Sequence, residues 1–443
     1  MLALLTRECY SNRFRKIREE ALNRVPSAGA TLDRPLPTAR PLRVALVAPP
    51  YFDVPPAAYG GVEAVVADLA DALVVRGHTV TVIGAGKPGT AARFVPLWER
   101  TVPERLGEPY PEVMHAIATR RAVERLALTG SVDVVHDHTF AGPLNAPAYA
   151  GLGLPTVVTV HGPVDDDLRR YYRELGDDVH LVAISDRQRA LAPELNWTAT
   201  VHNALRLADW PFRERKDDYA LFLGRFHPDK GPHLALDAAH AAGLRLVLAG
   251  KCAEPIEKEY FDREVRPRLT ERDHVFGVAD ATAKRELLAN ARCLLFPIQW
   301  EEPFGMVMIE AMACGTPVVA LGSGAVPEVV VDGVTGIVRD DPADLVQALD
   351  DVRAISPADC RRHVAEHFDV DGLAAGYETA YRRALGAERA TAAGVRSSLD
   401  LLRRDYPALD SDLDSLGSAL SDRDDYGNDD HDGPAVPVSG GRS

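Results

Sequence analysis

Apolar and polar positions along the chain follow two alternating periods. RVALVAPP (43–50) is a short apolar run ending in a proline turn, which predicts a buried strand. VEAVVADLADALVVRG follows, with Val62, Val65, Val66, Leu69 and Leu73 on one face at helical spacing and Gly77 as its stop. HTVTVIGAG (78–86) predicts the next strand, and VDVVHDH, PTVVTVHG, HLVAISD and ATVHNA continue the series. At FRERKDD, near residue 212, the chain turns charged, and then the rhythm restarts with YALFLGRF, LRLVLAG, HVFGV, ARCLLFPI and TPVVAL as strands. Continuously apolar strands separated by helices predict parallel sheets covered on both faces. The expected organisation is two doubly wound α/β units, residues 41–212 and 213–385, with the last periodic stretch, LAAGYETAYRRAL, crossing back or closing the second unit.

Both ends differ from this body. Residues 1–40 begin with basic residues between Arg7 and Arg24 and then break into a proline-rich run. They read either as a solvated extension or as an amphipathic helix for a membrane or partner. After Ala393 the composition turns to Ser, Asp, Gly and Arg, and 394–443 is expected to be an acidic disordered tail.

Ligands of parallel α/β sheets bind beyond the carboxyl ends of the strands, so the loops there carry the candidate chemistry. After the first strand, Gly60-Gly61 opens a helix, an arrangement that lets a diphosphate approach backbone N–H groups or simply makes a turn. His136 and His138 share a face of one strand end, a spacing open to a metal pair or to hydrogen bonding with neighbouring loops. His161, followed by Gly162, ends another strand and would point into the cleft. In the second unit GRFHPDKG places Arg225 and Lys230 around a loop that opens a helix, which suits phosphate oxygens. QWEEPFG (299–305) and the short helix after it place Glu302 at a strand end and Glu310 among Met306, Val307, Ile309 and Met312. Carboxylates accept paired hydrogen bonds from vicinal hydroxyls, which a sugar or a ribose offers. The N–H groups of Phe304, Gly305 and Met306 would face a phosphate lying between them.

Composition narrows the partners. The net charge of −15 argues against nucleic acid or a general affinity for anionic membranes, although ten Asp against two Arg from Asp405 onward supply about half of the excess. Five scattered cysteines without a CxxC pair, three of them in apolar runs, suit a reducing compartment and a cytoplasmic protein. No apolar run reaches the length of a membrane span, and peripheral contact stays open. RRAVERL (120–126) reads as a solvated helix face or as a basic face toward an acidic acceptor or membrane.

Six motifs in order carry a family resemblance: YGGVE (59–63), VHG (160–162), AISDRQR (183–189), GRFHPDKG (224–231), Glu302-x7-Glu310 within EPFGMVMIEAMACGTPVVA, and VPEVVVDGVTGIV (326–338). From about Arg43 to Leu385 the chain resembles the retaining glycosyltransferases of family 4, and bacterial members of unassigned acceptor most of all. The resemblance implies the GT-B fold, two Rossmann-like domains facing across a cleft, with acceptor and donor sides respectively. It implies transfer of a hexose from a nucleotide diphosphate sugar, UDP-glucose-type favoured, with retained configuration by front-face attack and without a metal or other cofactor. Arg225 and Lys230 would bind the diphosphate, with Gly60, Gly61, Phe304 and Gly305. Glu310 would hold the ribose, and Glu302 and His161 the transferred sugar. The acceptor is expected at loops 87–120 and 137–180. Two departures stand out: Asn203 is followed by Ala204 rather than Gly, and GSGAVPE replaces the usual Gly-Gly-x-Pro-Glu, leaving the geometry at Ser323 and Gly324 in doubt. The rivals are a non-catalytic sugar-nucleotide-binding protein of the same fold and a Rossmann-type oxidoreductase. The latter lacks GxGxxG after the first strand.

Overall fold

A computed structural model describes residues 40–57 and 60–405, with side chains through residue 387. Two wholly parallel sheets form the body. The first has seven strands in the order β3-β2-β1-β4-β5-β6-β7. They are β1 Arg43–Val47, β2 Thr79–Ala85, β3 Arg93–Trp98, β4 Val134–Asp137, β5 Thr156–Val160, β6 Val179–Ala183 and β7 Trp197–Thr200. The second has six, in the order β10-β9-β8-β11-β12-β13. These are β8 Tyr219–Leu223, β9 Arg245–Ala249, β10 His274–Gly277, β11 Cys293–Phe296, β12 Val318–Leu321 and β13 Gly336–Arg339.

In both sheets the order reverses beside the first strand of the unit, where β1 pairs with β2 and β4, and β8 with β9 and β11. The reversal opens a crevice at the carboxyl ends of these strands, which locates the ligand loops. The central strands are buried almost throughout, because helices cover both faces, and this explains their unbroken Val, Ile and Leu runs.

Two strands lay outside the sequence expectation. β3 falls inside the segment 87–120 assigned to acceptor loops, and α-helix Pro109–Leu128 begins there too. Its Arg93 and Pro96 disguise it, as suits an edge strand with one partner. β13 is also an edge strand, four residues long.

The chain leaves the first sheet after Thr200 and returns late. Leu205 N–H donates to the Phe368 carbonyl at 3.0 Å, and the helix Val370–Asp405 follows. Its Leu373, Ala374, Tyr377, Ala380, Tyr381 and Ala384 lie on one face and pack into the core of the first sheet beside Leu46, Leu69 and Val182. The helix runs to Asp405, so order does not end at Ala393 as the composition suggested. Leu and Arg, good helix formers, dominate its last turns. The N-terminal extension 1–39 and the tail beyond Asp405 lie outside the described residues. Cys293, Cys314 and Cys360 are buried in the second core. No helix among the described residues is long and apolar enough to cross a membrane.

Candidate active site

The loop after β8 and the loop after β11 are seated on each other, since the Gln299 N–H donates to the Asp229 carbonyl at 2.8 Å. This brings Lys230 to Glu302. The Lys230 ammonium bonds the Glu302 carboxylate and lies 4.7 Å from the Trp300 ring centroid. Trp300 Nε1 donates to the same carboxylate oxygen at 2.9 Å. Glu302 is only 9% exposed, so burial of its charge is offset by these two donors.

The loop 322–325 supports it from behind. Ala325 N–H donates to the Glu302 carbonyl at 2.9 Å, and Ser323 Oγ donates to the Trp300 carbonyl at 2.7 Å. Gly324 has φ +59, and a Cβ there would overlap the Glu302 backbone. The departure GSGAVPE therefore keeps a glycine at the position that requires one.

Gly305 caps the helix Met306–Ala313, and Phe304 before it is fully buried, so this turn presents its backbone rather than its side chain. One and a half turns on, Glu310 is 8% exposed and accepts from Lys284 Nζ at 2.7 Å. Lys284 comes from the helix Ala281–Asn290 and lies 5.2 Å from the Trp210 ring. Arg225 turns elsewhere: Nε donates to Glu257 at 2.6 Å and Nη2 to Glu254 at 2.7 Å. Burial pushes the Glu257 carboxyl up, but backbone N–H groups of Glu254 and Ala253 and the Arg225 guanidinium outweigh it and hold it below the usual range.

Across the cleft, Gly60 has φ +139, and a Cβ would press on Pro56 and Glu63. A Cβ on Gly61 would meet nothing within 4 Å, so this helix start is open to a ligand. Burial pushes the Glu63 carboxyl in the first turn up to about 7. His161 follows β5. Its Nε2 pairs with His138 Nδ1 at 2.8 Å, and His138 in turn lies against His136, the rings tilted by 43° with centroids 4.0 Å apart. His136 uses both ring nitrogens, toward Tyr381 Oη at 2.8 Å and Thr159 Oγ1 at 2.7 Å. Burial lowers His161 to about 4 and holds His136 and His138 well below their ordinary range, so all three are neutral at pH 7. His136 is thus committed to hydrogen bonds, and no group of three His, Cys, Asp or Glu among the described residues is arranged for a metal. Gln188 Nε2 clamps the segment by donating to the Val160 and Gly162 carbonyls at 2.8 and 2.7 Å.

Two carboxylates that the motif reading left without a role join the halves. Glu301 forms a bidentate pair with Arg187, at 2.9 and 2.7 Å. Glu328 accepts from the Asp186 and Arg187 N–H groups at the start of the helix Asp186–Leu191 and pairs with His202. Sequence reasoning also passed over Lys284, Glu254, Glu257 and Trp300. A lone Lys or Trp carries no spacing signal. The capping box at Glu254 and Glu257 was readable in principle, as Glu-x-x-Glu around Pro255. The structure brings Lys230 together with Glu302, and both with the loop that Gly324 supports, while Arg225 and Glu310 each engage other partners.

Two facing parallel sheets of this topology, with polar loops at the shared carboxyl ends, define a GT-B protein. Residues 59–190 match the model described as Glycosyltransferase Family 4, and residues 209–362 match Glycosyl transferases group 1. The chain is 30% identical over 335 residues to phosphatidyl-myo-inositol mannosyltransferase of Mycobacterium tuberculosis, covering 69% of this chain and 85% of that one. It is 27% identical over 398 residues to glycogen synthase of the same organism, with 76% and 94% covered. The crystal structure of AviGT4, a glycosyltransferase involved in Avilamycin A biosynthesis, superposes with a TM-score of 0.57 at 30% identity, covering 78% of this chain and 98% of that one. Sucrose-phosphate synthase from Thermosynechococcus elongatus shares the fold, with a TM-score of 0.65 at 18% identity and 78% and 99% covered. The chain belongs to the family 4 glycosyltransferases of the GT-B fold. It is an enzyme that transfers a sugar from a nucleotide sugar, and the oxidoreductase and non-catalytic readings fall.

Proposed function

We propose that the enzyme transfers a hexose from a nucleotide diphosphate sugar, of the UDP-glucose type, to a hydroxyl acceptor with retention of anomeric configuration and without a metal. The observation that carries this reading is the Lys230–Glu302 pair beside Trp300. A bound donor would divide that pair: its diphosphate takes the ammonium, and hydroxyls of its sugar take the carboxylate. Arg225 and the N–H groups at the Gly305 turn would add positive charge at the leaving group, and Glu310 would receive the ribose hydroxyls. His161, neutral at pH 7, would hold a sugar hydroxyl without drawing the anionic donor out of place.

In the step itself the acceptor oxygen bonds to the anomeric carbon as the bond to the diphosphate oxygen breaks on the same face. The departing phosphate oxygen receives the acceptor proton. Lys230 and Arg225 act by stabilising the charge that grows on that oxygen, which is where a preorganised site gains most. Since these cations neutralise the diphosphate, no divalent ion is required in this reading. The four unpaired thiols among the described residues and the donor's chemistry fit a cytoplasmic setting.

The test is a melting screen of the purified protein against UDP-, GDP- and ADP-sugars, because a ligand for the folded state raises its melting point. A UDP-sugar is expected to stabilise the protein most, to be consumed in EDTA, and to give a product whose anomeric proton reports retention. An inverted product, or activity abolished by EDTA and restored by magnesium, sinks the proposal.

A further inference from the structure

The helix Pro109–Leu128 has an outer face that nothing in the transferase site uses. Tyr110, Val113, Met114 and Ile117 stand on it at i, i+3, i+4 and i+7 and are all exposed, Tyr110 by 57% and Ile117 by 45%. An amphipathic surface helix turns such a stripe inward, and this one already buries a second apolar stripe of Ala116, Ala122, Val123 and Leu126. The outer stripe widens on one side. The segment after β4 packs on the helix, with Asn145 Nδ2 donating to the Ala116 carbonyl at 2.9 Å and Ala141 N–H to Glu112 at 3.2 Å. It adds Leu144, 60% exposed, and Phe140, 52% exposed. Six large apolar side chains on one patch exceed what scattered surface residues account for and mark an interaction surface.

Charge tells which partner fits. The same exposed face continues into Arg120, Arg121 and Arg125. Glu124 is occupied by Arg120 at 2.8 Å, and Arg121 and Arg125 have no carboxylate partner among the described residues. An apolar half followed by a basic half, in a chain of net charge −15, is the pattern of a helix lying in a membrane interface, with its apolar side chains among acyl groups and its arginines at anionic headgroups. The patch is also continuous with the cleft, since Phe140 follows two residues after His138, which bonds His161.

We propose that this face docks on an anionic lipid surface, so that the cleft opens at the membrane. The docking stands independently of the donor reading, and its test needs no turnover. The full chain is floated with vesicles of phosphatidylcholine, alone or with about a third phosphatidylglycerol, at low and high salt. The protein is expected to bind the anionic vesicles at least tenfold better than the neutral ones. Val113→Asp/Ile117→Asp should lower that binding at least tenfold, and Arg121→Glu/Arg125→Glu should abolish the anionic preference. Each variant should keep the wild-type melting point and its melting shift with donor. Both pairs are made in the full chain, so lipid binding by the basic segment 7–24 would survive them and would overturn the assignment. Failure of the wild type to float, equal binding to both vesicles, or a dimer that the Asp pair splits into monomers would each overturn it as well.

Discussion

In the C-terminal half of the cleft the polar side chains meet as ions, Lys230 with Glu302, Lys284 with Glu310 and Arg225 with Glu254 and Glu257. In the N-terminal half they meet as neutral groups, in a chain from His161 through His138 and His136 to Tyr381 and Thr159. The difference is one of exchangeability. An ion pair at a partly open strand end can trade a partner for a charged ligand, because the ligand supplies the charge that the partner gives up. A buried neutral chain cannot trade in this way, since each member that loses its partner is left desolvated and unpaired. The first arrangement suits a diphosphate that arrives and leaves. The second suits a fixed wall against which a sugar is oriented.

The sharpest way to break this contrast is Lys230→Ala. With Glu302 unpaired and the leaving group without its nearest cation, turnover should fall at least about a hundredfold, or roughly 2.7 kcal/mol in the barrier. Steady-state rates with the donor that the melting screen identifies will decide it. A fall in affinity alone, with turnover intact, would make Lys230 an anchor and leave the charge on the leaving group to Arg225.

Gly324→Ala tests whether the ionic half owes its geometry to the loop behind it. The backbone at φ +59 and the overlap with the Glu302 backbone should together cost about 3 kcal/mol of stability, read by urea melting. Donor affinity should fall too, because Glu302 and Trp300 move together. A variant of wild-type stability would mean that the loop relaxes freely and does not fix Glu302.

Within the N-terminal half, buried acids and buried histidines should differ in pH response. Glu63 is raised to about 7 by burial, from an ordinary value of 4.5. Between those values the folded state keeps a proton that the unfolded chain gives up. That contribution is therefore whole below about pH 4.5 and is lost as pH rises through 7. Glu63→Gln removes it. Relative to the wild type, the variant should gain on the order of 2 kcal/mol from pH 4.5 to pH 8, measured as the difference in unfolding free energy. The buried histidines slope the other way. Because His115 is lowered to about 4, its contribution is whole above its ordinary value of 6.5 and is lost as pH falls toward 4. A gap between variant and wild type that stays constant with pH would place Glu63 in its charged form throughout.

How far these contrasts were legible in the sequence depends on what each rests upon. The strands of both sheets announce themselves where they are buried on both faces, as VALV and CLLF do, and fade at the edges, where β3 carries Arg93 and Pro96. The ionic residues were legible because they stand in strand-end loops or on the helix that follows, at fixed spacing, Glu302 and Glu310 above all. Their partners were not. Lys284, Glu257 and Arg187 reach the cleft from helices remote in sequence, and only the packing of those helices brings them in. His136 was visible as a residue but not as a link, because Tyr381 lies 245 positions away on the returning helix.

That link gives the smallest of the expected effects and the finest test of the contrast. Tyr381→Phe keeps the ring that packs edge-on against His136 at 5.5 Å and removes only the hydroxyl at 2.8 Å. His136 Nδ1 then has no partner in a fully buried position, while Nε2 keeps Thr159. A net loss of about 1 kcal/mol in unfolding free energy follows from one such bond. Since His161 is two rings away and pairs with His138 rather than with the tyrosine, turnover should stay within about fivefold of the wild type, by the same small energy. A variant that unfolds like the wild type but has lost turnover as Lys230→Ala does would show that the neutral chain takes part in the charge movements of transfer. The two halves would then differ in composition and not in kind.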